Sequence, residues 1–177
     1  MPDKKIYAFG DSIMAGHKYK KAAFIDFVAA KQNMDLNKYA RNGATIMDVN
    51  YEGGQILSQI IKASERKPDF ILFDGGTNDA EYILNCKDIF DYEIYRRAFE
   101  KTVKTIQTKW NNTPVIYVAA HKLGSRDIVI QEKIRNIAFK ICEQYQVIVA
   151  DVYNLLDTND VNKKNKYTFD ELTKNGL

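Results

Sequence analysis

Histidine is almost missing from this chain: 177 residues contain two, His17 and His121. Cysteine is as scarce. Cys86 and Cys142 form no metal-ligand spacing such as C-x-x-C. The two could in principle pair, but Cys142 sits in a helical pattern and reads as a small buried hydrophobe, so a reducing compartment is expected. No apolar run approaches the ~18 residues that a membrane span needs. Met1-Pro2-Asp3-Lys4-Lys5 leads straight into a strand pattern with no apolar h-region, so no signal peptide is read and a cytoplasmic protein is expected. The net charge is only +3 and the lysines are scattered, which removes the electrostatic case for nucleic acid. Lys18, Lys20 and Lys21 with Tyr19 make one short basic-aromatic patch, expected as a solvated helix start or loop. Internal repeats, low-complexity tracts and linkers are also missing, so residues 1–177 read as a single domain.

What is there suits a sizeable core. With 45% hydrophobic and 28% charged residues the chain reads as globular. Short apolar runs predict strands at Ile6–Phe9, more weakly at Leu36–Ala40, then at Phe70–Phe73, Val115–Ala119 and Val147–Ala150. Continuous hydrophobicity in the stronger runs argues for strands buried on both faces of a parallel sheet. Helical periodicity fills the gaps at Ala22–Gln32, Ile56–Ala63, Tyr92–Trp110 and Ile128–Tyr145. Pro68 and Pro114 close helices just ahead of strands. The polar segment Thr158–Lys166 predicts an exposed loop, and Thr168–Lys174 a short helix. Alternation of this kind predicts a doubly wound α/β fold, three-layered α/β/α around a five-stranded parallel sheet.

The chemistry-bearing residues fall at strand exits, where parallel α/β proteins place their sites. Gly10-Asp11-Ser12 follows the first strand directly. Gly75-Gly76-Thr77-Asn78-Asp79 follows the third. Loops opening on one edge would bring Ser12 beside Asn78, a nucleophile beside an amide donor, which suggests acyl transfer. Each block alone also fits a plain structural role. Asp11 can cap a helix, Asn78-Asp79 can start one, and Asn42-Gly43 is a common turn pair.

Taken together, Gly10-Asp11-Ser12, Asn42-Gly43-Ala44-Thr45 and Gly76-Thr77-Asn78-Asp79 resemble, in order and placement, the first three blocks of the SGNH (GDSL-type) hydrolases. The resemblance implies a flavodoxin-like strand order 2-1-3-4-5 and a serine esterase that works without metal or organic cofactor. It implies Ser12 as nucleophile, and Ser12 N–H, Gly43 N–H and the Asn78 side chain as oxyanion donors. Pre-aimed donors of that kind contribute roughly 3–4 kcal/mol each where tested. A glycine lets the backbone approach substrate closely, and an amide donates without a charge that varies with pH. Asp11 is expected to organise the turn and Asp79 to support by hydrogen bonding.

The fourth block of that family, Asp-x-x-His, is not found. Neither histidine has an aspartate three residues before it. His17 would point away from Ser12 on a helix. His121, at the end of the fourth strand, reads first as a satisfied loop histidine, with a substrate contact or a stand-in base as the alternatives. The tail Asp170–Leu177 resembles the approach to the fourth block, with Asn175 in the aspartate slot were a histidine to follow. The chain is therefore expected to be shortened and, as it stands, nearly inactive.

The substrate is expected to be a small ester, chiefly an acetylated carbohydrate, because the Gly-Gly-Thr-Asn-Asp loop resembles members that deacetylate sugars. Lipase or thioesterase activity is the alternative. A non-catalytic binding domain on the same fold is a rival reading. A flavodoxin-like cofactor binder is disfavoured, since the first loop lacks a phosphate-cradling run. Oligomeric state is left open.

Overall fold

The computed structural model describes residues 4–17, 20–49, 53–86, 91–120 and 122–153. Five strands pair in parallel: β1 Lys4–Phe9, β2 Met34–Lys38, β3 Phe70–Phe73, β4 Val115–Ala119 and β5 Ile148–Asp151, in the order β2-β1-β3-β4-β5. The helices between them are α1 Ser12–Ala15, α2 Phe24–Lys31, α3 Ile56–Lys62, α4 Thr77–Cys86, α5 Asp91–Lys109 and α6 Ile128–Gln144. The α/β fold and its strand order are as expected.

Strand alternation sorts β1 between two cores. Tyr7 and Phe9 pack with Ile60, Phe99, Ile106 and Trp110 on one face, while Ile6 and Ala8 pack with Met14 and Ile25 on the other. Among the described residues the first layer is the thicker, built from α3, α4, α5 and α6, and the second rests on α1 and α2. Cys142 is buried, Cys86 is exposed and neither is in a disulfide.

Two elements depart from the sequence reading. β2 begins two residues earlier than expected and is half-buried throughout, because an edge strand does not need a continuous apolar run. A helix start at Asn78-Asp79 is only an alternative reading of the sequence, and the ten-residue α4 begins at Thr77, inside the Gly-Thr-Asn-Asp block. Lys20 and Lys21 are exposed and have positive φ, 52° and 66°, so that stretch is a turn. No helix of the described residues is long and apolar enough to cross a membrane. The expected loop at Thr158–Lys166 and helix at Thr168–Lys174 lie outside the described residues.

The chain runs from β1 outward to β2, then returns past β1 to β3. β1 and β3 therefore flank the point where the winding reverses, which is where such sheets open a crevice.

Candidate active site

The parallel pairing continues past the strand ends and draws three loops together. Beyond β2, Tyr39 N–H donates to Ala8 C=O at 2.8 Å and Arg41 N–H to Gly10 C=O at 3.0 Å. Beyond β3, Asp74 N–H donates to Phe9 C=O at 3.1 Å. The loops that carry Ser12, Gly43 and Asn78 thus leave one sheet edge side by side.

Ser12 is the first residue of α1 and is half-buried. Asp11 caps that helix, its carboxylate accepting Ile13 N–H at 2.8 Å. α1 ends within one turn at Gly16, so His17 is not on a helix, contrary to expectation. Its exposed ring lies against the Asn42 side chain instead.

Gly43 lies in the turn closed by Ala44 N–H donating to Arg41 C=O at 3.2 Å. Gly53 backs this turn so closely that a Cβ there would lie 2.1 Å from Ala44 N and 2.2 Å from Gly43 C. Only glycine fits. Asn78, on the first turn of α4 and 6% exposed, donates Nδ2 to Ala44 C=O at 2.9 Å. One of its two amide hydrogens is thereby fixed and the whole group is aimed along the Gly43 turn. Asp79 faces inward, accepting Ile46 N–H at 3.0 Å and Met47 N–H at 2.8 Å. It pins the segment that follows Gly43.

The site is rich in buried carboxyls. Burial pushes Asp11 up to about 6, against the pull of the Ile13 N–H. Burial also raises Asp79 to about 6, despite its two main-chain donors. Asp74, at the exit of β3, is pushed well above the usual carboxylate range by burial and then by the charge of Asp11. Arg126 approaches Asp11 from the rim, with its guanidinium paired to Glu81 at 2.7 Å and its Nε donating to Thr77 C=O at 3.3 Å.

The structure brings Asp11, Ser12, Gly43, Asn78 and Asp79 to one edge. His121 and Asn175 lie outside the described residues. Sequence reasoning missed Gln59, Asp74 and Gly53, all in contact with these loops. Gln59 could have been flagged as a polar residue on the apolar stripe of Ile56, Ile60 and Ala63. Among the described residues no group of three His, Cys, Asp or Glu side chains could hold a metal ion. Concavities on the outer faces of α5 and α6 hold no comparable convergence, and the α5 one is lined by Arg97, Glu100 and Lys104, which are in surface ion pairs.

The chain is similar to known proteins along most of its length. The profile of the GDSL-like lipase/acylhydrolase family matches residues 8–172. No curated protein matches by sequence. Among solved structures, a protein from Lactobacillus plantarum is similar at a TM-score of 0.71 and 21% identity, over 85% of this chain and 77% of that one. A lipase/acylhydrolase from Enterococcus faecalis is similar at 0.67 and 21%, over 89% and 82%. An acetyl-xylooligosaccharide esterase from Geobacillus is similar at 0.66 and 14%, over 92% and 81%. At these identities the structures speak for the fold, while the profile covers nearly the whole sequence. This chain belongs to the GDSL-like lipase/acylhydrolase family.

Proposed function

We propose that the chain is a serine ester hydrolase that works through an acyl-enzyme on small acyl esters, chiefly acetyl esters of carbohydrates. The observation that carries this reading is the contact of Asn78 Nδ2 with Ala44 C=O, which joins the second and third loops beside the start of α1. In the first step Ser12 Oγ attacks the ester carbonyl carbon while a general base, which Asp11, Gly43, Asn78 and Asp79 do not supply, takes its proton. The carbonyl oxygen becomes an oxyanion that receives Ser12 N–H, Gly43 N–H and the second Asn78 amide hydrogen. Collapse expels the alcohol, which regains the proton. Water then releases the acid by the same route. Asp11 and Asp79 organise the first two loops, and His121 is proposed as a substrate contact.

Two likenesses support the carbohydrate half of the proposal. The loop Gly75-Gly76-Thr77-Asn78-Asp79 resembles sugar-deacetylating members of the family, and the Geobacillus protein is an acetyl-xylooligosaccharide esterase.

The test is hydrolysis of p-nitrophenyl acetate and acetylated xylooligosaccharides by the protein at its natural length. Ser12→Ala is expected to lower kcat by about 10³-fold or more with an unchanged circular dichroism spectrum. Undiminished turnover would overturn the nucleophile. Preference for long-chain esters over acetyl esters would move the substrate to lipids. Sugar binding without turnover would make this a binding domain.

A further inference from the structure

Two buried side chains outside the Gly-Asp-Ser, Asn-Gly and Gly-Thr-Asn-Asp blocks hold the main chain that leads into Ser12. Gln59, on α3, accepts Gly10 N–H at Oε1 (3.0 Å) and donates Nε2 to Gly10 C=O (2.9 Å). Asp74 accepts Asp11 N–H at Oδ1 (2.9 Å). Three successive polar groups of the backbone are thus bound, from two other elements, in the two residues before Ser12. The contact with Asp74 also dictates glycine at position 10, where a Cβ would lie 1.7 Å from Asp74 Oδ1.

We propose that Gln59 and Asp74 are positioning residues of the nucleophile turn, fixing where Ser12 Oγ and N–H lie without themselves touching substrate. The proposal rests on the reading of Ser12 as nucleophile.

Gln59 is 6% exposed and Asp74 1% exposed, so water replaces neither, and an apolar residue in either place would leave buried main-chain groups ahead of Ser12 without the partners that now fix them. Asp74 Oδ2 is buried without a hydrogen-bond partner, and burial together with the charge of Asp11 holds the Asp74 carboxyl well above the usual carboxylate range, which favours its protonated form. The groups that face this pair are Arg126 toward Asp11, Asp79 from α4, Tyr117 from β4 and the Met14 N–H. A protonated Asp74 still accepts Asp11 N–H through its carbonyl oxygen, so an isosteric amide can replace it. What the clamp contributes is location, to which catalysis is steeply sensitive. A misplacement of ~1 Å can lower a rate ~10²-fold.

The experiment compares Gln59→Leu, Gln59→Glu, Asp74→Ala and Asp74→Asn with the parent at natural length. It reads kcat and KM on p-nitrophenyl acetate, thermal melting, and hydrogen exchange of the Gly10 and Asp11 amides. Gln59→Leu and Asp74→Ala are expected to lower kcat ~10–10³-fold with KM within about threefold, and to speed exchange at those two amides. Gln59→Glu keeps the acceptor and loses the donor, so a smaller loss of kcat is expected; it also serves should Gln59→Leu fail to fold. Asp74→Asn should stay within about threefold of the parent. Folded Gln59→Leu and Asp74→Ala proteins with parental kcat would overturn the proposal. Failure of the nucleophile reading shows separately, as full activity in Ser12→Ala. The exchange rates then decide the clamp alone: faster exchange in the variants upholds it and unchanged exchange ends it.

Discussion

Asn78 carries two hydrogens on one nitrogen, and the bond to Ala44 C=O leaves it little rotational freedom. A donor held in place before substrate arrives has no reorganisation left to undergo as charge develops. Asn78→Ala is therefore expected to lower kcat by about 10²–10³-fold with little change in KM. Steady-state kinetics on p-nitrophenyl acetate checks this, and a loss confined to KM would reduce Asn78 to an ordinary substrate contact. Ser12, Gly43 and Asn78 were legible in the sequence because each sits in a short local pattern at a strand exit. Gln59 and Asp74 were not, since their partners lie 49 and 63 residues away, and nothing local announces a bond of that reach. Asp74 was visible only as the polar end of an apolar run.

The helix that carries Gln59 is itself tied down by a neighbour. Lys109, at the end of α5, donates Nζ to the carbonyls of Ile60 (3.0 Å), Ile61 (2.9 Å) and Ala63 (2.7 Å). These groups close the C-terminal end of α3, where a helix leaves carbonyls without intrahelical partners. The Lys109 side chain is only 9% exposed, so water replaces it poorly. Trp110 adds a bond from its indole N–H to Ser64 C=O at 3.2 Å. Lys109→Met should cost about 2–3 kcal/mol, since hydrogen bonds to a charged group are the stronger kind. That is a fall in Tm on the order of 4–12 °C for a chain of this size. A melting curve within 1–2 °C of the parent, roughly the size of a surface change, would show that solvent does the same work. At this scale the sequence was informative wherever periodicity was strong, as in α5 and α6. It was weakest for α4, whose first turn falls in the Gly-Thr-Asn-Asp block and so lacks an apolar rhythm.

For the molecule as a whole, the buried carboxyls set an unusual pH profile. Burial lifts Asp11 and Asp79 to about 6 and raises Asp74 well above the ordinary value of 3.8. In that window the folded state binds more protons than the unfolded one, so the stability these groups confer is full below about 4 and is lost as pH rises through 6. A rise from 3.8 to about 6 corresponds to about 3 kcal/mol for a single fully buried carboxyl. Glu93 and Glu100, held near 2 chiefly by hydrogen bonds from Arg96 and from Lys104, act in the opposite sense. Their contribution is full above about 4.5 and fades as pH falls toward 2. Thermal melts between pH 4 and 8 should therefore be highest near pH 4–4.5 and decline toward pH 8, with a shallower decline in Asp74→Asn. A midpoint that climbs steadily from pH 5 to 8 would contradict this assignment of protons.

The strand order has a consequence in time as well as in space. β1 lies between β2 and β3, and it pairs with β3 from Ile6 with Phe70 to Phe9 with Phe73. During synthesis β2 becomes available first, and the 35 residues from 39 to 73 must still be added before β3 is complete. At ~5–20 residues per second that interval lasts roughly 2–7 s. Through it the run Ile6-Tyr7-Ala8-Phe9 leaves the ribosome with one hydrogen-bonding edge open. That run, buried in the finished sheet, is thus held open on one side for the whole interval, and it is a natural point of attack for a chaperone or for misassembly with another chain.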